Sequence, residues 1–416
     1  MSKIEKICII GLGYIGLPTA ALLANRGFDI HGVDVVQTTV DTINRGEIHI
    51  VEPELDVFVQ SAVRSGKLKA DTKPAEADIF IIAVPTPFHE GHVPNVDYVR
   101  SATESIAPFV KKGNIVILES TSPIGTTHMV GDVLAENGVD LSTIHVAHCP
   151  ERVLPGRIML ELVQNDRIVG GLTEEATQIT GEFYSSFCSG EVLLTDAKTA
   201  EMAKLTENSF RDVNIAFANE LSILCDKFDI NVWELIKLTN RHPRVNVLQP
   251  GAGVGGHCIA VDPWFIVSAG GDDAKLIKTA RLRNDFKSEW VIEKIKNAAL
   301  EIEKKTSKPA KVACLGLAFK PDIDDLRESP ALYITQQLCA SMDNVMAVEP
   351  NIPMAMDHKK LGITNKSFKL VDVFQAIEEA DIIVVLVAHK QYKRLDLSDL
   401  NIFDFCGVTN KEQKTI

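Results

Sequence analysis

Short apolar runs alternate with longer amphipathic segments through the first part of the chain. The first run, 7–10, leads through a glycine turn into a helix-length segment and then into a second strand that ends at Asp34. Helix-length segments such as 96–110 separate three more candidates for buried strands, which lie at 79–84, 115–119 and 144–147. Strands that alternate with helices are typical of a parallel, doubly wound sheet, so the pattern predicts an α/β domain.

The pattern changes near Thr195, where the strand signal gives way to helical periodicity. Apolar positions recur at helical spacing through 199–228 and, after a glycine-rich loop, through 272–304. The middle of the chain is therefore predicted to be helical.

Strand signals return after the segment 305–310, which contains Lys, Thr, Ser and Pro and which we interpret as a linker. The new candidates lie at 312–317, 344–348 and 382–387. The two α/β ends could be distant copies of one architecture. The predicted fold class is α/β, with two Rossmann-like doubly wound domains, 1–195 and 305–416, joined by a central helical domain, 196–304.

Composition narrows the classes of partner. The 416 residues, 45% of them hydrophobic and 24% charged, are enough to bury more than one separate core. The formal net charge of −13 argues against broad attraction to nucleic acid or to an anionic membrane surface, so an anionic ligand requires locally placed Arg and Lys. The N-terminal residues lack the features of a signal peptide, and no apolar run approaches the roughly 20 residues that span a bilayer.

The eight cysteines are scattered singly, at positions 8, 149, 188, 225, 258, 314, 339 and 406. None belongs to a C-x-x-C pair, the spacing that suggests zinc or a redox dithiol. We therefore expect no metal site, and the scattered thiols indicate a reducing, cytoplasmic setting.

A glycine turn follows the first strand. Residues 11–16 read Gly-Leu-Gly-Tyr-Ile-Gly, a spacing that gives a pyrophosphate room at a helix N-terminus but that also occurs as a plain turn in other α/β proteins. Asp34 favours the dinucleotide interpretation, because it ends the next strand, where its carboxylate can accept the adenosine ribose hydroxyls. No arginine follows directly to hold a 2′-phosphate, so the sequence favours NAD over NADP. The predicted cofactor-binding residues here are Gly11, Gly13, Tyr14, Ile15, Gly16 and Asp34.

Hydroxyl side chains lie in the loops that follow two other predicted strands. Thr86 stands between two prolines after one strand, and Thr121 and Thr127 belong to the Ser/Thr-rich run after another. Loops at the carboxyl ends of parallel strands bind ligands in open sheets, so these hydroxyls could contact cofactor or substrate, and we assign them to the cofactor. Ordinary turn chemistry explains such residues equally well.

The stretch 241–263 carries the densest chemistry. Its residues 251, 253, 255 and 256 are glycines, which bring the backbone close to a neighbouring group. Cys258 follows them, next to His257 and four residues before Asp262. A thiol in such surroundings can have a lowered pKa and attack an aldehyde. Taken alone, Cys258 fits a buried packing residue better, since cysteines outside disulfides are usually buried.

Four segments, in order along the chain, resemble the UDP-glucose/GDP-mannose dehydrogenase family, whose members oxidise a nucleotide sugar twice at C6. They are Pro-Glu-Arg at 150–152, the helix 200–211, the Gly-x-Gly-x-Gly-Gly-x-Cys-x-x-x-Asp loop at 251–262, and the run 316–330. The resemblance spans nearly the whole chain. It implies an NAD-binding first domain, a central domain for dimerisation and catalysis, and a C-terminal domain that binds a UDP-sugar.

The family resemblance also implies catalytic roles. Cys258 resembles the nucleophile, and Glu151 resembles the carboxylate linked to thioester hydrolysis. Lys204 and Asp262 resemble the pair that manages the protons of the alcohol and the oxyanion. Asn208 lies four positions after Lys204, on the same face of the predicted helix. These groups suit the chemistry, because two hydride transfers require a proton acceptor, capture of the aldehyde and water for release.

The UDP diphosphate requires cations, and Arg244, Lys320 and Arg152 are the candidates. The resemblance assigns Arg327 to the NAD phosphates. The full set of predicted substrate-binding residues is Arg152, Val153, Lys204, Asn208, Arg211, His242, Arg244, Gly255, Phe319 and Lys320. In relatives the central helices form the dimer interface and residues that resemble Arg244 reach the neighbouring site, so we expect an obligate homodimer.

Departures from the sequence pattern of the UDP-glucose branch help to indicate which UDP-sugar is the substrate. That branch of the family carries a lysine just before the active-site aspartate, where this chain has Val261. The segments 84–88, 241–245 and 262–265 instead resemble the bacterial branch that oxidises UDP-N-acetyl-D-mannosamine for surface polysaccharides such as capsule or enterobacterial common antigen. The residue chemistry alone leaves UDP-glucose, UDP-N-acetylglucosamine and UDP-N-acetylgalactosamine open. Cys406 replaces a basic residue common in relatives, which puts one substrate or cofactor contact in doubt.

Two other classes of function keep the same fold. A noncatalytic nucleotide-binding regulator has no need to retain Cys258, Lys204, Asp262 and Glu151 together. A one-step alcohol dehydrogenase has no use for the thiol. We therefore expect an enzyme that uses the thiol between two oxidations.

Overall fold

The computed structural model describes residues 4–256, 258–395, 397 and 400–409. The chain forms two compact units. The first unit comprises Met1–Glu207 and Trp264–Gly270, and the second comprises Asn208–Pro263 and Gly271–Ile416.

The first unit contains ten strands and seven complete helices among its described residues. The strands are β1 (Lys6–Ile10), β2 (Asp29–Val33), β3 (Leu68–Asp71), β4 (Ile79–Ile82), β5 (Phe88–His89), β6 (Val93–Pro94), β7 (Ile115–Leu118), β8 (His145–His148), β9 (Arg167–Gly171) and β10 (Val192–Asp196). The helices are α1 (Gly16–Asn25), α2 (Gln37–Asn44), α3 (Leu55–Arg64), α4 (Asp97–Ile106), α5 (Thr126–Glu136), α6 (Ile158–Gln164) and α7 (Glu174–Ser185). Eight of the strands form one sheet, in the order β10-β9-β8-β7-β4-β1-β2-β3, and β5 and β6 form a separate hairpin.

Side chains of the central strand β1 alternate between two buried layers. Ile7 and Ile9 belong to one hydrophobic cluster, and Cys8 and Ile10 belong to the other. Both faces of the sheet are covered, so a central strand has no polar side, and every residue of β4 and β7 is buried. For this reason the apolar runs of the sequence mark the central strands.

Strand β9 departs from the parallel arrangement that the sequence pattern predicts. It pairs antiparallel with β8 over two residue pairs, whereas β10 runs parallel to β9. Gly170 and Gly171 allow β10 and α7 to approach β9 closely, because a Cβ would lie 2.3 Å from the carbonyl oxygen of Asp196 at the first position and 2.5 Å from the amide of Thr177 at the second. An antiparallel pair near one edge of a parallel sheet is common in α/β proteins.

The remaining elements follow in chain order. The helices are α8 (Ala197–Lys227), α9 (Val232–Thr239), α10 (Asp262–Gly270), α11 (Lys275–Thr306), α12 (Pro330–Ser341) and α13 (Val373–Glu379). The strands are β11 (Val312–Leu315), β12 (Val345–Val348), β13 (Lys369–Leu370), β14 (Ile382–Val385) and β15 (Ile402–Asp404). These strands form a second parallel sheet, in the order β13-β12-β11-β14-β15.

The predicted fold class is confirmed: two Rossmann-type α/β regions flank a helical middle. Helix α11 continues to Thr306, two residues into the segment interpreted as a linker, and the predicted domain boundaries stay predictions. It ends where Ser307 adopts a φ of 56°, a left-handed conformation that cannot continue the helix. Within the described parts of the chain, no helix combines the length and the apolar character needed to cross a membrane.

Candidate functional site

The glycine turn lies between β1 and the N-terminus of α1. Gly11 adopts a φ of 92°, and a Cβ there would lie 2.6 Å from the carbonyl oxygen of Ala83. A Cβ on Gly16 would lie 1.8 Å from the carbonyl oxygen of Gly11, whereas Gly13 faces open space. No side chain of the described residues caps α1 at Ile15, and the Leu17 amide is bonded within the turn to the carbonyl of Gly13 at 3.1 Å. The turn therefore fits a pyrophosphate.

Asp34 follows β2 and lies beside this turn. Its carboxylate accepts hydrogen bonds from the backbone amides of Leu12 at 3.2 Å and Val36 at 2.9 Å. The side chain is half-buried, and the next residue, Val35, is exposed. The acid is thus fixed in orientation and open to a ligand, as recognition of a ribose requires. Its negative charge opposes a 2′-phosphate at the same place.

The three threonines assigned to the cofactor have protein partners in this structure. The Thr86 hydroxyl donates to the carbonyl of Thr121 at 2.6 Å, which ties together the loops after β4 and β7. Thr127 is fully buried, and its hydroxyl donates to Glu201 at 2.6 Å. Glu201 also accepts the amides of Gly125 and Thr127, at 2.6 and 2.7 Å, and so caps the start of α5. The cofactor contacts of these threonines stay predictions.

Glu151 lies just after β8 and is almost fully buried. One carboxylate oxygen pairs with Arg167 at 2.6 Å, and the other accepts the amide of Arg152 at 2.7 Å. The Arg152 guanidinium pairs in turn with Glu207 at 2.6 Å. Glu151 is therefore a fixed group that faces a buried cation. Arg167 is not foreseeable from the sequence pattern, because its strand carries no clear apolar run.

The other predicted residues of the first unit lie close to its core. Lys204 is half-buried on α8, three residues after Glu201. Tyr14 and Val153 pack against the hydrophobic core, and Ile15 is half-buried at the start of α1.

The predicted nucleophile lies on a tight turn that leads into α10. The carbonyl of Cys258 accepts the amides of Val261 at 3.0 Å and Asp262 at 2.9 Å, and the cysteine is exposed. Asp262 is buried, and its carboxylate accepts a hydrogen bond from Asn208 at 2.5 Å. The structure therefore brings three predicted catalytic residues together. His257, whose closeness to the thiol is part of the prediction, lies outside the described residues.

The glycine-rich loop packs against the segment 319–330. A Cβ on Gly255 would lie 2.3 Å from the carbonyl oxygen of Glu328, and a Cβ on Gly256 would lie 2.9 Å from the ring of Phe319. The sequence predicts a close approach at these glycines, and the structure identifies the neighbours. Two of the four segments that carry the family resemblance thus contact one another.

Positive side chains are exposed in the second unit. Four residues predicted to bind substrate are solvent-exposed, namely Arg211, His242, Arg244 and Lys320. The ring of His242 accepts the amide of Arg244 at 3.4 Å, which places the two in one turn. Arg327 is also exposed and pairs with Asp325 at 2.6 Å. The arginines and Lys320 are exposed positive charges in a chain whose net charge is −13.

Cys406 lies just after β15, and its thiol contacts the carbonyl of Val385 at 3.8 Å. Lys287 of α11 interacts electrostatically with this cysteine. The lysine is buried, donates to the Ser222 hydroxyl at 2.7 Å and lies 4.0 Å from the ring centroid of Trp290. Burial lowers the pKa of Lys287 to about 7. A basic group, Lys287, therefore lies beside Cys406, although position 406 itself is not basic.

Aromatic residues join the hairpin β5–β6 to the first turns of α10. The rings of Phe88 and Phe265 meet edge to face at 5.5 Å, and His92 stacks on Trp264 at 4.2 Å. Phe88 and the pair Trp264 and Phe265 belong to two of the segments that suggest the sugar specificity. The structure thus places these two segments in contact.

The chain matches all three parts of one protein family. Residues 5–188 match the NAD binding domain of the UDP-glucose/GDP-mannose dehydrogenase family, residues 198–286 match its central domain, and residues 313–410 match its UDP binding domain.

Similar proteins of known name and structure cover nearly the whole chain. UDP-N-acetyl-D-mannosamine dehydrogenase from Campylobacter jejuni is 56% identical, over 98% of this chain and 100% of the relative. NDP-N-acetyl-D-galactosaminuronic acid dehydrogenase from Ralstonia nicotianae is 52% identical, over 95% of this chain and 93% of the relative. The solved structure of UDP-D-ManNAc dehydrogenase from Pyrococcus horikoshii matches with a TM-score of 0.87 and 38% identity, over 98% of this chain and 97% of that one.

Proposed function

Because the chain belongs to the UDP-glucose/GDP-mannose dehydrogenase family, we propose that it oxidises C6 of UDP-N-acetyl-D-mannosamine to a carboxylate, in two steps, through a thioester on Cys258. The family resemblance of the sequence is confirmed, and the chain is an NAD-dependent dehydrogenase. The observation that carries the proposed chemistry is the turn from Cys258 to Asp262, which joins an exposed cysteine to an aspartate that Asn208 holds in place.

NAD is the cofactor, and when bound it accepts the hydride in each oxidation. We assign the pyrophosphate to the glycine turn, because Gly11 and Gly16 leave no room for side chains where the backbone must approach a ligand. We assign the adenosine ribose to Asp34, whose carboxylate two backbone amides hold in place. Contacts from Thr86, Thr121, Thr127 and Arg327 remain part of the proposal.

The alcohol must lose a proton in the first oxidation, and the proposed acceptor is the amine of Lys204. Asp262 is the proposed partner for this proton and for the oxyanion that forms later. Its hydrogen bond with Asn208 keeps the carboxylate in one orientation.

Cys258 has its role between the two oxidations. The thiolate adds to C6 of the aldehyde, and the resulting thiohemiacetal loses a second hydride from C6 to give a thioester. Water then attacks the thioester carbon, the C–S bond breaks, and the thiolate and the sugar carboxylate separate. Glu151 is the proposed base that takes the proton of this water. The whole sequence consumes two NAD and one water for each sugar.

The identity of the sugar has a competing candidate. The relative from Campylobacter jejuni is named for UDP-N-acetyl-D-mannosamine, whereas the relative from Ralstonia nicotianae, only a little less identical, is named for N-acetyl-D-galactosaminuronic acid. We favour the mannosamine sugar, because the segments 84–88, 241–245 and 262–265 resemble that branch. UDP-N-acetylgalactosamine is the second candidate, ahead of UDP-N-acetylglucosamine and UDP-glucose.

A stoichiometric assay with the purified protein tests both the route and the sugar. With excess NAD and limiting UDP-N-acetyl-D-mannosamine, we expect two NADH per sugar. The other three UDP-sugars should give kcat/KM values at least about 10-fold lower, since a site that positions one hydroxyl or acetamido group rejects its epimers. One NADH per sugar would reject the thioester route. Turnover of another UDP-sugar, with none of UDP-N-acetyl-D-mannosamine, would reject the sugar but keep the route.

We also propose a division of labour along the chain. Residues 1–195 bind NAD, residues 196–304 provide catalysis and dimerisation, and residues 305–416 bind the UDP-sugar. Arg152, Arg244 and Lys320 are the proposed diphosphate contacts, because the latter two are exposed cations in the second unit and Arg152 adjoins Glu151. The other proposed substrate contacts are Val153, Lys204, Asn208, Arg211, His242, Gly255 and Phe319.

The proposed product suits the synthesis of bacterial surface polysaccharides. The proposed setting is the cytoplasm, where an exposed catalytic thiol stays reduced.

A stripe of exposed apolar residues on α8 supports the proposed homodimer. Phe210, Phe217 and Leu224 are 67%, 55% and 42% exposed, and Phe228, just after the helix, is 63% exposed. The first three recur every seven residues, the spacing with which helices pair along a seam. A second copy of the chain would bury these side chains. In the proposed dimer, Arg244 serves the neighbouring site.

Sedimentation of the purified protein tests this interface. We expect the wild type to sediment as a dimer and Phe217→Glu to shift toward monomer with at least about a 100-fold weaker association, because a carboxylate in an apolar interface costs several kcal/mol. Phe374→Glu, which changes an even more exposed phenylalanine on α13, is the matched control and should stay dimeric. A fully active wild-type monomer would refute the obligate dimer.

A further inference from the structure

A second carboxylate lies deep behind Glu151. Glu119 directly follows β7 and is 2% exposed. The Tyr184 hydroxyl of α7 donates to one of its carboxylate oxygens at 2.7 Å. The other oxygen is buried and has no hydrogen-bond partner among the described residues. Such a half-satisfied carboxyl in the interior is costly when ionised, so it has a strong reason to carry a proton.

Arg167 connects Glu119 to Glu151. Its guanidinium pairs with Glu151 at 2.6 Å, donates to the carbonyl of Leu162 at 3.0 Å and lies 5.4 Å from the centroid of the Tyr184 ring. Arg167 and Glu151 are both almost fully buried. We call Glu119, Glu151, Arg167, Tyr184 and Cys149 the buried carboxylate cluster, since all five interact electrostatically. Cys188, at the edge of the cluster, interacts with the same guanidinium.

The charges of the cluster balance only when one carboxylate is neutral. Arg167 supplies one positive charge, and two ionised carboxylates would leave a net charge of −1 in the interior. Burial raises the pKa of the Cys149 thiol and of the Tyr184 phenol. Both groups therefore stay neutral and do not compete with the carboxylates for the positive charge of Arg167. Burial likewise raises the pKa of Glu119 to about 7, against the opposing effect of Arg167. Glu119 is thus the member that exchanges a proton near neutral pH.

We propose that Glu119, Tyr184 and Arg167 are positioning residues for Glu151, and that loss of the proton from Glu119 raises the basicity of Glu151 toward the water that hydrolyses the thioester. This inference rests on the proposed function. While Glu119 is neutral, the positive charge of Arg167 stabilises the ionised carboxylate of Glu151 alone. Glu151 is then a weak base. When Glu119 ionises, two carboxylates share one guanidinium, and Glu151 binds the proton of the attacking water more strongly. No proton needs to pass between the two carboxylates.

The test follows the decay of the sugar thioester on Cys258 as a function of pH. Wild-type enzyme is mixed with NAD and sugar, quenched at intervals and measured as intact protein by mass spectrometry, at pH values from 6 to 8.5. We expect the decay rate of the wild type to rise about 10-fold through a midpoint near 7, following the ionisation of Glu119. Glu119→Gln, which stays neutral, should match the wild type at pH 6 and lack the rise. KM for the sugar should change less than about 3-fold.

A second variant keeps the inference testable if Glu119→Gln fails to fold. Tyr184→Phe removes only the hydroxyl that stabilises ionised Glu119, so the midpoint of the pH profile should move upward by about 0.5 to 1 pH unit. Tyr333→Phe is the matched control, because the Tyr333 hydroxyl donates to Glu289 on the surface of the second unit, and it should leave the profile unchanged.

The outcomes separate this inference from the proposed function. Identical pH profiles in the wild type, Glu119→Gln and Tyr184→Phe would overturn the positioning role while the thioester itself is still seen. Absence of any sugar on Cys258 in the wild type would overturn the proposed route, and this inference with it. A uniform loss of rate at all pH values in both variants would indicate a purely structural role and would also overturn the inference.

Discussion

Replacing Cys258 with serine is expected to stop multiple turnover and to reduce steady-state NADH production by about three orders of magnitude or more. A serine hydroxyl is ionised far less than a thiol at neutral pH, so it adds slowly to the aldehyde. Any ester that does form resists water better than a thioester, because an alkoxide is a poorer leaving group. The variant should therefore stall with aldehyde or with sugar attached to the serine.

Intact-protein mass spectrometry and NADH fluorescence measure this effect together. The matched control is Cys225→Ser, which changes a buried cysteine on the same α8 helix that carries Asn208. We expect the control to retain activity within about 3-fold, since an isosteric change at a buried cysteine costs little unless the thiol reacts. If Cys258→Ser still released carboxylate at more than a tenth of the wild-type rate, Cys258 would not be the nucleophile.

The central strands were predictable because burial on both faces leaves them wholly apolar. The runs at 79–84 and 115–119 identify β4 and β7, although each strand ends earlier than its run. The helical periodicity of 199–228 likewise locates α8 within two residues at each end. Strand β9 gives no such signal, because its sequence Arg-Ile-Val-Gly-Gly combines a charge with two glycines. Arg167 itself belongs to this strand, so the partner of Glu151 escaped sequence analysis.

The candidate site was predictable where the chemistry is local in sequence. Cys258 and Asp262 lie on one turn, so their separation of four residues in the sequence already implies that they lie close together. The glycines before them predict a close neighbour, but only the fold identifies it as Phe319 and Glu328, more than 60 residues away. Contacts over such distances depend on tertiary packing, which a single sequence does not encode in its periodicity.

The two α/β regions repeat one local arrangement, yet only the first leaves its acid open to a ribose. Gly11 donates its amide to the carbonyl of Val33 at 2.8 Å, and Gly316 donates to that of Val348 at 2.8 Å. The acid after each second strand then accepts backbone amides from the turn. Asp34 is half-buried beside an exposed residue, whereas Glu349 is buried and bonded to His389 at 3.1 Å. Glu349 is therefore committed to internal contacts.

Replacing Arg281 with methionine is expected to lower the free energy of unfolding by about 3–5 kcal/mol at pH 8. Arg281 pairs with Asp212, and both are almost fully buried. Asn284 donates to the same carboxylate at 2.8 Å, but an amide cannot replace a full positive charge. The variant would leave an ionised carboxylate in the interior, on α8, the helix that also carries Asn208.

The loss of unfolding free energy caused by Arg281→Met should become smaller as the pH falls from 8 to 5.5. Burial raises the pKa of Asp212 to about 6 even with Arg281 present, and without the guanidinium it rises further. In both proteins the folded-state pKa of Asp212 lies above its unfolded value, so lowering the pH stabilises both of them. The folded variant has the higher pKa and gains more protons between pH 8 and 5.5, so the difference in stability narrows. Urea unfolding at fixed protein concentration measures the difference. Arg283→Met is the control. It breaks only a half-exposed pair with Glu220 and should lower the free energy of unfolding by less than about 1 kcal/mol at every pH. A larger difference in stability between Arg281→Met and the wild type at pH 5.5 than at pH 8 would contradict this account.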